Sequence, residues 1–122
     1  MSGKIEAPWE ASVDGHAGPG ETSMILASRP DLVKMDRVPN DDEWKSQDRL
    51  RALREAGVET GVWWYAEHPT HYAGDAKFAD AATGDRILNL RAEGVARGVR
   101  AIKADSVAKR LQDEFYRGSN AT

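Results

Sequence analysis

Apolar residues recur at helical spacing over the last third of the chain. From residue 88 onward they follow one another at spacings of 4, 3, 4 and 3, which is the stripe of one long helix: Leu88, Ala92, Val95, Val99 and Ile102. Val107, Leu111 and Phe115 then recur every four residues. This second pattern predicts a last helix, with Asp105 or Ser106 as its cap and a polar tail from residue 119.

The earlier part of the chain predicts shorter elements. A helix is expected over residues 21–28, where Pro30 limits its extension, and a polar helix over residues 41–56, with Asn40 as its cap and Gly57 as its stop. The run VETGVWWYAE, rich in β-branched and aromatic residues, predicts a strand from about Val58 to Tyr65. A short strand is also expected near residues 11–13, at the end of an irregular lead-in.

Composition narrows the class of protein. The chain has 122 residues, 40% hydrophobic and 30% charged, which is typical of a single globular domain. Its net charge of −3 comes from interleaved acidic and basic residues, so neither a nucleic-acid surface nor a membrane surface is predicted. It has no cysteine, which excludes thiolate ligands and a cysteine nucleophile. Since no signal peptide or membrane-spanning run is recognisable, we expect a cytoplasmic protein.

The stretch DGHAGPGETS is the best candidate for a catalytic site. His16 is flanked by Gly15 and Gly18, which allow a backbone to approach a ligand closely, and Glu21 lies at a predicted helix start. A histidine beside a carboxylate suits general acid–base work. The alternative is that His16 only caps a turn and Glu21 only caps the helix.

A second group of candidates lies in residues 63–72. His68 and His71 are three positions apart, as metal ligands on one helix face would be, but Pro69 lies between them and favours a loop. Trp63 and Trp64 could stack on a ring substrate, with His71 or Tyr72 hydrogen-bonding to it. Alternatively, the two tryptophans belong to a core or a subunit interface.

These segments resemble a known family. HAGPGETSMILASRPDLV, residues 16–33, is similar to the characteristic segment of the creatininase (creatinine amidohydrolase) family, in which His-Ala-Gly leads into Glu-Thr-Ser at a helix start. GVWWYAEHPTHYAGDAKFADAATGDRILNL, residues 61–90, resembles the family's Gly-Asp loop and the following helix, and its wording is closest to 3-dehydro-scyllo-inosose hydrolases.

The resemblance implies an α/β fold, a mostly parallel sheet between helices, in a higher oligomer that hydrolyses small rings with two divalent metals. The family's metal-binding motifs, Glu-x-His-Gly, Thr-Asp and Asn-Gly-His, do not occur here. Residues 14–118 are therefore expected to form the C-terminal half of the α/β/α sandwich, after a lead-in over residues 1–13 and before a tail over residues 119–122. A separate chain would complete the fold and carry the metal-binding half.

By the same resemblance, His16 matches the family's catalytic histidine, which passes a proton to the leaving group, and Glu21 lines the same site. Zn or Mn would be held by ligands outside this chain. The residues before His16 depart from creatininase proper, which has a substrate-stacking tryptophan there, so a polyhydroxylated cyclic ketone is preferred over a cyclic amide as substrate. The alternative is a non-catalytic structural or regulatory subunit, or a truncated fragment, of such an assembly.

Overall fold

The computed structural model describes residues 7–39 and 42–119, and within these ranges all regular structure is helical. The α-helices are α1 (Pro19–Ser28), α2 (Arg51–Glu55), α3 (Trp63–Glu67), α4 (Ala81–Ala104) and α5 (Val107–Ser119). Single turns of 3-10 helix lie at Ala11–Val13, Pro30–Leu32, Met35–Arg37 and Ala76–Phe78. The chain divides into two compact units, Met1–Leu90 and Arg91–Thr122, and α4 continues from the first into the second.

The expected α/β sandwich with a parallel sheet is wrong, because the described residues contain no strand. The predicted strand over residues 58–65 is instead a turn followed by α3. Its backbone groups bond locally: the N–H of Trp63 donates to Thr60 O at 3.2 Å, and that of Ala66 donates to Val62 O at 3.0 Å. A strand needs a neighbouring strand for these groups. The residues expected as a short strand, Ala11–Val13, likewise form a 3-10 turn.

Three helix predictions are confirmed. The helix expected over residues 21–28 is α1, which starts two residues earlier at Pro19, a residue suited to the first turn. The long amphipathic helix is α4. The last helix is α5, and the Asp105 carboxylate accepts hydrogen bonds from the backbone N–H groups of Val107 (3.2 Å) and Ala108 (2.9 Å), as its predicted capping role requires.

The helix expected over residues 41–56 shrinks to the five residues of α2. Asn40 and Asp41, its predicted start, lie outside the described residues. Gly57 does end the helix, where Gly57 N and Val58 N donate to Arg54 O and Leu53 O at 3.0 and 2.9 Å. The preceding turn is lost because Asp48 adopts a φ of +52°, which no right-handed helix accommodates.

Glu67 explains the irregular backbone at residues 46–48. This side chain is buried at the end of α3, where its carboxylate accepts hydrogen bonds from the Ser46 hydroxyl and from Asp48 N (2.9 Å). Arg54 Nη1 lies 3.5 Å from its other oxygen. These contacts hold the pKa of Glu67 below its usual value, the Ser46 hydrogen bond being the largest cause. A tertiary ionic contact thus overrides the helical propensity of the segment.

The core of the first unit is small and is built on close backbone contact. Among the described residues, its buried apolar side chains are Pro19, Ala66, Ala76 and Ile87. Helices α1 and α4 meet at Gly84, where a Cβ atom would lie 1.8 Å from the carbonyl oxygen of Ser23. The fully buried Ser23 hydroxyl accepts a hydrogen bond from Asp80 N at 3.0 Å, just before α4. Only glycine at residue 84 allows this contact.

The apolar stripe of α4 is not core within this chain. Val95 is 68% exposed and Ile102 76% exposed. In α5, Leu111 and Phe115 are also exposed. A separate chain that would cover this stripe therefore stays a prediction. No helix in the described part of the chain has the length and apolar character that crossing a membrane requires.

Gly84→Ala should lower the free energy of unfolding by roughly 2 kcal/mol, because its methyl group would overlap Ser23. The matched control is Gly94→Ala in the same helix, where an added Cβ meets only the end of the Arg97 side chain, at 3.8 Å. That variant should gain up to about 1 kcal/mol from helix propensity. Urea denaturation measures both. Equal effects of the two substitutions would contradict the packing of α1 on α4.

Glu67→Gln should lower the free energy of unfolding at pH 7. The difference from the wild-type protein should become much smaller in acid. Because the folded-state pKa of Glu67 is lowered, the ionised carboxylate stabilises the fold above its ordinary value of 4.5, and this contribution disappears as the pH falls through the lower folded-state value. Unfolding free energies measured from pH 7 to pH 3 should therefore converge for the two proteins. Glu59→Gln, the same change at an exposed position, should show no such convergence.

Candidate active site

The candidate site forms where two glycine-containing segments, residues 13–18 and 73–75, lie backbone against backbone. Ala73 N donates to His16 O at 3.0 Å, and Asp75 N donates to Val13 O at 2.9 Å. A Cβ at Gly15 would lie 1.9 Å from Ala73 O, and one at Gly74 would lie 2.7 Å from Gly15 N. The two segments approach this closely only because neither carries a side chain at the contact.

The same contact positions His16 at the beginning of α1. Asp14 Oδ1 accepts a hydrogen bond from Gly20 N at 3.0 Å, in the first turn of the helix. Ala17 has a φ of +57°, and its N–H donates to Glu21 Oε2 at 2.8 Å. The Thr22 hydroxyl donates to Ala17 O at 3.0 Å. Side chains of α1 and its preceding loop therefore hold the strained residue that follows His16.

His16 and Glu21 form a pair at the surface. His16 Nδ1 lies 3.5 Å from Glu21 Oε2, and the two side chains are 59% and 57% exposed. Since the Glu21 carboxylate is already held by Ala17 N, it offers the imidazole a fixed negative charge. An accessible imidazole next to a fixed carboxylate can accept a proton and release it to a bound molecule.

All three histidines of the chain contact the indole of Trp64. The His16 ring meets it edge-on at 5.9 Å between centroids, and the His68 ring lies tilted against it at 4.9 Å. His71 Nδ1 accepts a hydrogen bond from Trp64 Nε1 at 2.9 Å. The structure thus brings four of the predicted site residues into one cluster: His16, Glu21, Trp64 and His71.

Trp63 and Tyr72 occupy different positions from this cluster. Trp63 contacts the Trp64 ring at 5.4 Å but lines a separate cleft of about 370 Å³ with Arg54 and Glu67. The Tyr72 hydroxyl accepts a hydrogen bond from Ala76 N at 2.9 Å, and burial raises its pKa. Its ring lines a cleft of about 330 Å³ that also includes Ala17, beside His16.

Two residues that shape the site, one in the cluster and one beside it, are not among the site residues that the sequence predicts. The sequence pattern places His68 in a loop with His71, yet His68 follows Trp64 by four residues, directly after the end of α3. The i, i+4 spacing signals this contact only when the segment is recognised as helical. Among the described residues, its buried Nδ1 has no hydrogen-bond partner. The second residue is Asp14, whose role as a helix cap depends on a sharp turn at Gly15 and Gly18.

The cluster does not fit a divalent metal by itself. Within residues 7–39 and 42–119, no group of three or more histidine, aspartate or glutamate side chains is arranged to hold a metal ion. Where the metal ligands of the assembled enzyme lie stays a prediction.

Comparison with known protein families supports a hydrolase-type enzyme. The sequence profile of the creatininase family, described as creatinine amidohydrolase, matches residues 2–99. The chain therefore belongs to the creatininase family, whose enzymes are generally metal-dependent. Comparisons with curated proteins and with solved structures found no match.

Gly74→Ala should separate the two segments of the site, because a methyl group would meet the backbone of both Gly15 and Gly18. We expect a loss of roughly 2 kcal/mol in unfolding free energy, together with changed chemical shifts of the His16 imidazole. The control is Gly61→Ala, where an added Cβ meets nothing within 4 Å. Wild-type stability and unchanged His16 shifts in Gly74→Ala would refute the backbone contact.

Proposed function

We propose that this chain is one subunit of a cytoplasmic, metal-dependent hydrolase of small ring molecules, and that His16 is its proton shuttle. The observation that carries the proposal is the pairing of His16 with Glu21 at 3.5 Å, beside the Trp64 ring and at the surface. The family match over residues 2–99 supports the hydrolase class.

In this proposal His16 gives its proton to the leaving atom of the substrate when the ring bond breaks. Glu21 holds the imidazole in position and stabilises it while it is charged. Trp64 offers an aromatic surface against which a ring substrate can lie, and His71 adds a polar group at the edge of that surface. Trp63 is assigned no substrate contact, because it lines the other cleft.

The metals, Zn or Mn, are proposed to come from a separate chain that carries the family's N-terminal metal-binding half. This follows from the lack of the metal-binding motifs in the sequence and of a ligand cluster in the described residues. When bound, such metals supply a water of lowered pKa for attack on the substrate. The exposed apolar residues of α4 and α5 support assembly with other chains into a higher oligomer.

A polyhydroxylated cyclic ketone is the preferred substrate class, and a cyclic amide is the second. The departure from creatininase proper before His16 argues against creatinine itself. Residues 12–15, Ser-Val-Asp-Gly, contain no aromatic side chain there.

The test is co-expression with candidate chains that carry the Glu-x-His-Gly motif, followed by size exclusion, metal analysis and turnover assays. We expect stoichiometric Zn or Mn only in the complex. His16→Ala should then lower kcat at least about 100-fold, as expected for loss of a general acid. Gln112→Ala, an exposed substitution on α5, serves as the control and should leave kcat unchanged.

Two results would contradict the proposal. Tight stoichiometric metal on the lone chain would place the ligands within this sequence. A complex whose turnover is unaffected by His16→Ala would indicate the alternative role, a structural or regulatory subunit.

A further inference from the structure

We propose that Trp64 fixes His71 as the tautomer with its proton on Nε2, so that His71 donates this N–H to an oxygen atom of the ring substrate. The identity of the ligand rests on the proposed function. The tautomer itself rests only on the geometry of the chain.

The first step is the direction of one hydrogen bond. Trp64 Nε1 lies 2.9 Å from His71 Nδ1, and an indole N–H donates but never accepts. His71 Nδ1 must therefore present a lone pair. In a neutral imidazole the other nitrogen then carries the proton, so Nε2 is a donor. A second proton on Nδ1 is incompatible with this hydrogen bond.

The second step is that both partners are held in place. His71 has a φ of +62°, an uncommon conformation for a residue with a side chain, and its N–H donates to His68 O at 2.9 Å in a tight turn. The Trp64 ring is packed against the rings of Trp63 and His68. Because the turn and the ring packing set the geometry, the tautomer is fixed before any ligand arrives.

The third step concerns the ligand atom that the Nε2–H group of His71 would bind. His71 is exposed, and its Nδ1 is occupied by Trp64, so Nε2 is the nitrogen left for a ligand. His16, the proposed proton donor, lies against the same indole ring. A neutral N–H beside it suits an uncharged acceptor, such as the carbonyl or a hydroxyl oxygen of a cyclic ketone or amide. His71 is accordingly a substrate-binding residue that leaves the proton transfer to His16.

Long-range ¹H–¹⁵N NMR spectra of the full 122-residue chain report the tautomer of each histidine directly. We expect His71 in the Nε2–H form at pH 8, assigned by loss of its signals in His71→Gln. Trp64→Phe, which keeps an aromatic ring but removes the N–H, should give a mixture of both tautomers at His71. A dominant Nδ1–H form in the wild-type chain, or an unchanged tautomer in Trp64→Phe, would overturn the inference.

A pair of substitutions tests the donor role in the active complex. His71→Gln places an amide NH₂ near the position of Nε2, whereas His71→Asn reaches only the position of Nδ1. With 3-dehydro-scyllo-inosose as the probe, KM should rise roughly 3- to 10-fold in His71→Asn, the value of one neutral hydrogen bond, and stay near the wild-type value in His71→Gln. Asparagine tolerates positive φ, so melting temperatures will show that His71→Asn is folded. The reverse order of KM values would overturn the donor role.

The two proposals fail in different ways. A complex that neither binds nor turns over 3-dehydro-scyllo-inosose or creatinine, with the Nε2–H tautomer intact, would count against the proposed function alone. Normal turnover with an Nδ1–H tautomer would count against the present inference alone.

Discussion

The structure depends on the contact between the backbones of Gly15 and Gly74. At this point two segments almost sixty residues apart come so close that a single methyl group on either would collide with the other. The contact turns the chain sharply before α1, which lets Asp14 cap the helix and sets the position of His16. The core is small and most of its side chains are short, so it buries little apolar surface. Close backbone packing and hydrogen bonds therefore contribute much of what holds the segments together.

Buried polar groups complete this organisation. Glu67 connects the end of α3 to the loop at residues 46–48, and Ser23 connects α1 to the start of α4. Each group has partners on a distant segment, so losing one partner would leave a buried polar atom unsatisfied. Helix α3 gains a fixed position from the Glu67 network, and that position is what presents Trp64 to His16 and His71. The candidate site therefore depends on two sets of contacts: the Glu67 network, which positions Trp64, and the Gly15–Gly74 contact, which positions His16.

The proposed assembly with other chains concerns the outer surface of the last two helices. The family match covers residues 2–99 and ends within α4, so α5 lies beyond it. The exposed apolar residues of α4 and α5 are arranged at helical spacing, which is typical of a surface that packs against another helix.

The sequence by itself determined the helices with strong local signals: α1 from its acidic first turn and the Pro30 that limits it, α4 from its 4-3-4-3 stripe, and α5 from apolar residues that recur every four positions. It also made His16 and Glu21 candidate site residues, because a motif is a local property of the chain. Tertiary structure decided the rest. Residues 58–65 have strand-like composition, yet composition does not reveal whether a partner strand exists, and without one the segment satisfies its hydrogen bonds as turn and helix. The polar helix expected over residues 41–56 is shorter in the structure, because Glu67, which lies beyond its end, accepts hydrogen bonds from Ser46 and Asp48. The grouping of three histidines around Trp64 likewise depends on the Gly15–Gly74 contact, because distances between remote segments are set by packing and cannot be read from local pattern.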